Sequence, residues 1–110
     1  MLGKIVKGAL ALLPFIMEAL KGFVAEVQLS DVYTFDDARY WFRERKDVKD
    51  SDDGIIAFTL FSERDGSKTI VIGLFNKKTN EVLDGEMIRT KRIDEKLTAI
   101  HSGNELVIYE

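Results

Sequence analysis

Residues 2 to 27, LGKIVKGALALLPFIMEALKGFVAEV, sort onto two halves of a helical wheel. Leu2, Ile5, Val6, Leu10, Leu13, Ile16, Met17, Leu20, Phe23, Val24 and Val27 fill one half. Gly3, Lys4, Lys7, Glu18, Lys21 and Glu26 lie on the other. The pattern predicts one long amphipathic helix. Such a helix is about 39 Å long at 1.5 Å per residue, more than a domain with a radius of gyration near 13 Å can cover. Pro14 interrupts its hydrogen bonding, but the apolar face keeps its phase across the proline, which predicts a bend rather than a reversal. Leu2, Ile5, Val6 and Leu10 would then project beyond the protomer's own sheet. Soluble monomers rarely leave such a patch exposed, so the expected partner is the same helix of a second copy, in a homo-oligomer, most simply a two-fold dimer.

The alternation Glu26-Val27-Gln28-Leu29-Ser30 suits a short edge strand. Thr34 and Asp37 have the spacing of a capping box and open a second helix over 34–48, with Phe35, Ala38, Trp41, Phe42 and Val48 on one side. Asp65-Gly66 is a strong signal for a two-residue type I′ hairpin. With that turn, Glu63 faces Lys68, Ser62 faces Thr69 and Phe61 faces Ile70. Both faces of the hairpin are apolar, with Ile56, Phe58, Leu60 and Val71 on one and Ala57, Phe61, Ile70, Ile72 and Leu74 on the other. Strands of that kind are covered on both sides. A third strand, Glu81 to about Thr90, is more polar and suits a sheet edge. A short helix over 93–101, capped by Gly103, and a strand over 105–109 complete the pattern.

The expected fold is therefore α+β, as one domain over 1–110. An antiparallel-dominated sheet, built from the meander over 55–90 and the C-terminal strand, is covered by helices. Residues 1–27 form the long N-terminal helix, and residues 55–110 form a βββαβ unit.

Composition narrows the chemistry. The 110 residues are 45% hydrophobic and 32% charged, as in soluble globular proteins. There is no cysteine and one histidine, so thiol chemistry and disulfides are excluded and most zinc sites lack ligands. Cysteine-poor small domains fit a reducing compartment, and a cytoplasmic location is expected. The net charge of −3 argues against nucleic acid or an anionic membrane as a bulk electrostatic partner. Lys4 and Lys7 ahead of ALALLPFIM resemble a signal peptide. Glu18 and Lys21 interrupt the apolar run, however, and no small-x-small cleavage site follows. The uncharged run is also short of the roughly 20 residues that span a bilayer.

Several residues invite functional readings. The acidic run DVKDSDDG over 47–54 fails calcium-loop spacing, since Lys49 and Ser51 fall where carboxylates belong. It reads as a solvated connection. Arg45 interrupts the apolar side of the second helix, where it can stack on Trp41 or bond terminal carbonyls. The functional alternative is an anion or partner contact made by Arg39, Arg43 and Arg45. His101 falls in the last turn of its helix, where the dipole accounts for it, and no nucleophile or orienting acid accompanies it. Lys77, Lys78, Arg89, Lys91 and Arg92 could gather at one end of the sheet, but acidic residues interleave with them. No cofactor, metal or catalytic residue is assigned.

The element order helix, three antiparallel strands, helix, strand resembles the core of the restriction-endonuclease-like nucleases over about seventy residues. That resemblance implies a metal site with an acid on one strand and an acid-x-Lys triplet on the next. Here Glu44-Arg45-Lys46, Asp47-Val48-Lys49 and Asp94-Glu95-Lys96 lie on or beside helices, and Asp84-Gly85-Glu86 lacks the lysine. The likeness is one of element order alone.

The sequence thus reads as a small non-catalytic interaction or assembly module, self-associating through its N-terminal helix and open to a further protein partner. A second reading makes that helix a membrane-surface anchor. A third is a divergent nuclease-like or nucleic-acid-binding domain.

Overall fold

The β-hairpin forms in the expected register. In the computed structural model, which describes residues 5–7, 11–23 and 26–109, β3 (Ile55–Arg64) and β4 (Ser67–Asn76) pair antiparallel. Glu63 lies opposite Lys68, Ser62 opposite Thr69 and Phe61 opposite Ile70. The turn has φ of 54° at Asp65 and 80° at Gly66, the positive values that a type I′ turn requires at both central residues. β5 (Glu81–Ile93) extends the meander, and β6 (Leu106–Tyr109) pairs antiparallel with the other side of β3.

The N-terminal quarter departs from expectation. No long helix spans 2–27. Ile5–Lys7 forms β1, antiparallel to β6, and the helix α1 covers only Leu13–Lys21. Glu26–Tyr33 forms β2, an eight-residue strand parallel to β5. The sheet is therefore mixed and six-stranded, in the order β1-β6-β3-β4-β5-β2, rather than an antiparallel sheet under a long helix. Among the described residues the longest helix, α2 (Phe35–Glu44), has 10 residues. Pro14 explains the first correction. It sits in the first turn of α1, where its missing N–H has no intrahelical partner to lose, so the helix begins at the proline instead of bending through it. Gly22 caps its end, and Val27, in phase on the wheel, lies in the strand that follows. A 26-residue helix would also exceed the molecule's longest dimension of 36 Å. β5 is likewise not an edge, because β2 covers it.

The two faces of the sheet carry separate cores. α1 lies on one, where Ile16 packs with Ile56, Phe58, Leu60, Val71, Phe75, Leu106 and Ile108. α2 and α4 (Glu95–His101) lie on the other, where Trp41, Phe42, Leu97 and Ile100 meet Ala57, Ile70, Ile72, Leu74, Val107 and Tyr109. On the α1 face Gly73 and Gly85 are cross-strand neighbours. A Cβ on Gly73 would fall 2.8 Å from the Phe58 ring, and one on Gly85 would fall 3.3 Å from the ring of Phe23. Two aromatic rings thus fill the trough that the two glycines leave.

The capping box at Thr34 forms as its spacing indicates, with Asp37 N–H donating to Thr34 Oγ1 and Thr34 N–H to Asp37 Oδ2, both at 3.0 Å. The second helix is shorter than 34–48. It breaks at Arg45, and α3 (Lys46–Asp50) follows. Asp94 joins the α2 and α4 N-termini: one carboxylate oxygen accepts from Leu97 N–H at 2.9 Å and the other from Phe35 N–H at 3.1 Å. Among the described residues no helix is long and apolar enough to cross a membrane.

Candidate interaction site

β2 ends the sheet, so alternate backbone N–H and C=O groups along it face away from β5, a ready template for another strand. Its sequence, EVQLSDVY, holds no proline and no lysine, two common devices for blunting an edge. The register with β5 assigns its side chains to faces. Val27 lies beside Met87 and Leu29 beside Arg89, on the face that α1 covers, whereas Gln28 and Ser30 lie beside Ile88 and Thr90 on the α2 face. Leu29 is 83% exposed and Val27 50%.

On the α2 face a groove of about 370 Å³ runs between β2 and the helix. Asp37, Tyr40, Trp41 and Glu44, spaced i, i+3, i+4 and i+7, form the helical wall. Gln28, Ser30, Tyr33, Glu86 and Ile88 complete the lining, which holds three carboxylates and no cationic side chain. Trp41 Nε1 donates to Glu86 Oε2 at 3.1 Å, orienting that carboxylate.

Tyr33 is the unusual member. It is only 8% exposed, and its hydroxyl has no hydrogen-bond partner among the described residues. No fully enclosed side-chain oxygen or nitrogen lacks a partner there, so this hydroxyl opens onto the groove that its side chain lines. Burial, and then the negative charges of Asp37 and Glu86, hold its phenol above the ordinary range, with Arg45 opposing weakly.

Arg45 sits at the helix break. Its guanidinium lies 3.8 Å over the Trp41 ring, donates from Nε to Asp84 Oδ2 at 2.7 Å and reaches the Trp41 carbonyl at 3.1 Å. Both structural roles weighed from the sequence are present, and Asp84 adds a third contact. At the break Arg45 N–H bonds Phe42 O, and the guanidinium takes the Trp41 carbonyl that a continuing helical ladder would use. Arg39 pairs with Asp36, exposed on the outer side of α2, and Arg43 is exposed. These three arginines do not converge on one pocket. Ile5 and Val6 lie on β1, beside Tyr109 and Ile108, with Val6 packed under α1. Leu2 and Leu10 lie outside the described residues.

The other candidates resolve into structure. His101 is buried, with Nδ1 3.0 Å from Asn104 O and Nε2 2.8 Å from Thr59 Oγ1; Thr59 Oγ1 is in turn 2.7 Å from the Tyr109 hydroxyl. The consistent assignment has Nδ1–H donating to the carbonyl, Thr59 donating to Nε2 and Tyr109 donating to Thr59. Burial pushes the imidazole below its usual pKa, partly opposed by the Asn104 carbonyl, so the ring is a neutral strut. In the acidic run, Lys46 pairs with Asp50, while Lys78 pairs with Asp52 at 2.9 Å and Asp53 at 2.8 Å. Lys77 and Lys78 precede β5 whereas Arg89, Lys91 and Arg92 lie near its far end, so the basic residues form no single patch. Asp84 and Glu86 are bound to Arg45 and Trp41, without the neighbouring lysine that the nuclease resemblance requires. Among the described residues no cluster of His, Asp or Glu is placed to hold a metal ion.

Sequence reasoning reached this site through Trp41, the alternation at 26–30 and the cap residue Asp37, and it weighed Glu44 and Glu86 only as nuclease acids. Tyr33 and Tyr40 were missed. The signal available was Val32-Tyr33, two strand-forming residues continuing β2 up to the cap at Thr34. Comparison with protein families, curated proteins and solved structures yields no match to this chain.

Proposed function

We infer that the protein is a small non-catalytic interaction module that binds an extended segment of a partner chain along the outer edge of β2. The supporting observation is the edge itself: eight residues long and free of proline and lysine, with Leu29 83% exposed on one face and a preformed groove on the other. Strand addition uses such an edge for main-chain hydrogen bonds and the flanking surface for side-chain selection. The non-catalytic part rests on the engagement of both His101 nitrogens and of the Asp84 and Glu86 carboxylates within the fold. The cysteine-free sequence fits a reducing compartment such as the cytoplasm.

The test is a degenerate library of extended peptides titrated into isotope-labelled protein. Shifts confined to the amides of residues 26–33, and lost in Leu29→Pro, are expected. Shifts elsewhere, or none, would overturn the edge reading. Plasmid cleavage with Mg²⁺ or Mn²⁺ that disappears in Asp84→Asn would overturn the non-catalytic one.

A further inference from the structure

We propose that the groove between β2 and α2 receives the lysine or arginine side chains of the added strand, so that the partner is an extended segment in which basic and apolar residues alternate. This rests on the edge reading and names the chemistry of the occupant.

Three observations carry it. The groove lining is net anionic, since Asp37, Glu44 and Glu86 line it and no cationic side chain does. Arg45 touches only the rim, 3.9 Å from Glu44, and its guanidinium is held by Asp84 at 2.7 Å and stacked on Trp41, which leaves Asp37 and Glu86 without a cationic partner among the described residues. Second, the aromatic residues Tyr33, Tyr40 and Trp41 line the same space, and aromatic faces attract a cation that carboxylates have drawn in. Third, the Tyr33 hydroxyl opens onto the groove from a side chain that is otherwise buried and has no partner among the described residues. A phenolic oxygen can accept a hydrogen bond from an ammonium or guanidinium group.

Geometry then sets the sequence of the partner. Side chains of an added strand alternate between the two faces of the sheet. Those emerging beside Gln28 and Ser30 enter the anionic groove. Those emerging on the other face meet Val27 and Leu29, with Arg89 and Lys91 close by. Apolar residues fit there, and basic ones are repelled. A second copy of β2 suits the edge poorly, because Glu26 and Asp31 would bring more negative charge to it.

The protein's one tryptophan, Trp41, lines the groove and reports on it directly. The probes are an alternating Val–Lys peptide, an alternating Val–Glu peptide and N-acetyl-lysine methylamide, each titrated near neutral pH while the Trp41 indole N–H and the amides of 26–33 are followed. The Val–Lys peptide is expected to shift both, the lysine amide the indole alone, and the Val–Glu peptide neither. Glu86→Gln, which keeps an acceptor for Trp41, and Tyr33→Phe should each weaken the Val–Lys peptide by roughly fivefold. Leu29→Lys should weaken the peptide and spare the lysine amide. Equal binding of the Val–Glu peptide, or an indole untouched by the lysine amide, overturns the proposal while leaving the edge reading intact. If no peptide shifts the amides of β2, the edge reading falls and the proposal with it. A concentration-dependent dimer that protects those amides makes a second copy the occupant and overturns the proposal too.

Discussion

Thr59, in the middle of β3, stands 2.8 Å from Nε2 of His101, in the last turn of α4. A central strand is thereby tied to a helix by a buried neutral histidine, and that tie makes stability depend on pH. Burial lowers the folded-state pKa of His101 below its ordinary value of about 6.5. The unfolded chain therefore binds the extra proton first as pH falls. The histidine's contribution is complete above about pH 6.5 and declines below it. Denaturant melts between pH 7.5 and 5 should show this loss, and His101→Gln should flatten it.

The same network has an alkaline limit. Burial pushes Tyr109 up to about 12, so the unfolded chain releases its phenolic proton first. Stability is present below the ordinary value of about 10 and falls as pH rises through the folded value. Melts from pH 9 to 12 should lose about 2–3 kcal/mol from this residue, and Tyr109→Phe should remove most of that slope. Thr59→Val, which keeps the shape and strands both partners, should cost about 1–3 kcal/mol at pH 7.

At the hairpin tip a Cβ on Gly66 would meet nothing within 4 Å, yet its φ is +80°. Substitution there is penalised by backbone conformation alone. Gly66→Val should cost about 1–3 kcal/mol and Gly66→Asn much less, since asparagine tolerates the left-handed region. A thermal melt of each variant checks the difference.

Gly73 presents the opposite case, in which space is the constraint. Gly73→Ala would set a methyl 2.8 Å from the Phe58 ring and 2.9 Å from the Asp84 carbonyl oxygen. We expect a loss of about 1–3 kcal/mol. Combining it with Phe58→Leu should relieve the ring contact but not the one with the backbone oxygen, a sub-additive result readable by denaturant unfolding.

Two helix caps should rank by the number of termini they serve. Thr34→Ala removes the cap of α2 alone and should cost about 1 kcal/mol. Asp94→Ala removes acceptors from Leu97 N–H and Phe35 N–H together, along with a carboxylate placed at two helix N-termini. It should cost about 2–3 kcal/mol, measured in the same melts.

What was legible in the sequence followed from short-range constraints. Asp65-Gly66 set the register of ten cross-strand pairs, Thr34 and Asp37 set a helix start, and the alternation of Ile56, Phe58 and Leu60 against Ala57 and Phe61 correctly separated two cores. What was not legible depends on partners distant in sequence. Ile5 and Val6 are strand residues because Tyr109 and Ile108 lie beside them, and nothing local distinguishes that from a helical turn. A wheel rewards apolar residues in phase whether or not a proline and a glycine divide them into separate elements. The groove was invisible for the same reason: its walls come from Gln28, Tyr40 and Glu86, which converge only once β2 lies against β5.

The strand order β1-β6-β3-β4-β5-β2 places the two earliest strands at the two outer margins of the sheet. During synthesis, Ile5–Lys7 waits for Leu106–Tyr109 and Glu26–Tyr33 waits for Glu81–Ile93 before either finds its neighbour. Each of these segments is therefore made well before the strand it pairs with, and closing such distant pairings is slow. Until then the central four strands present two raw margins where aggregation could begin. The two waiting strands are the natural place for a chaperone to hold this chain.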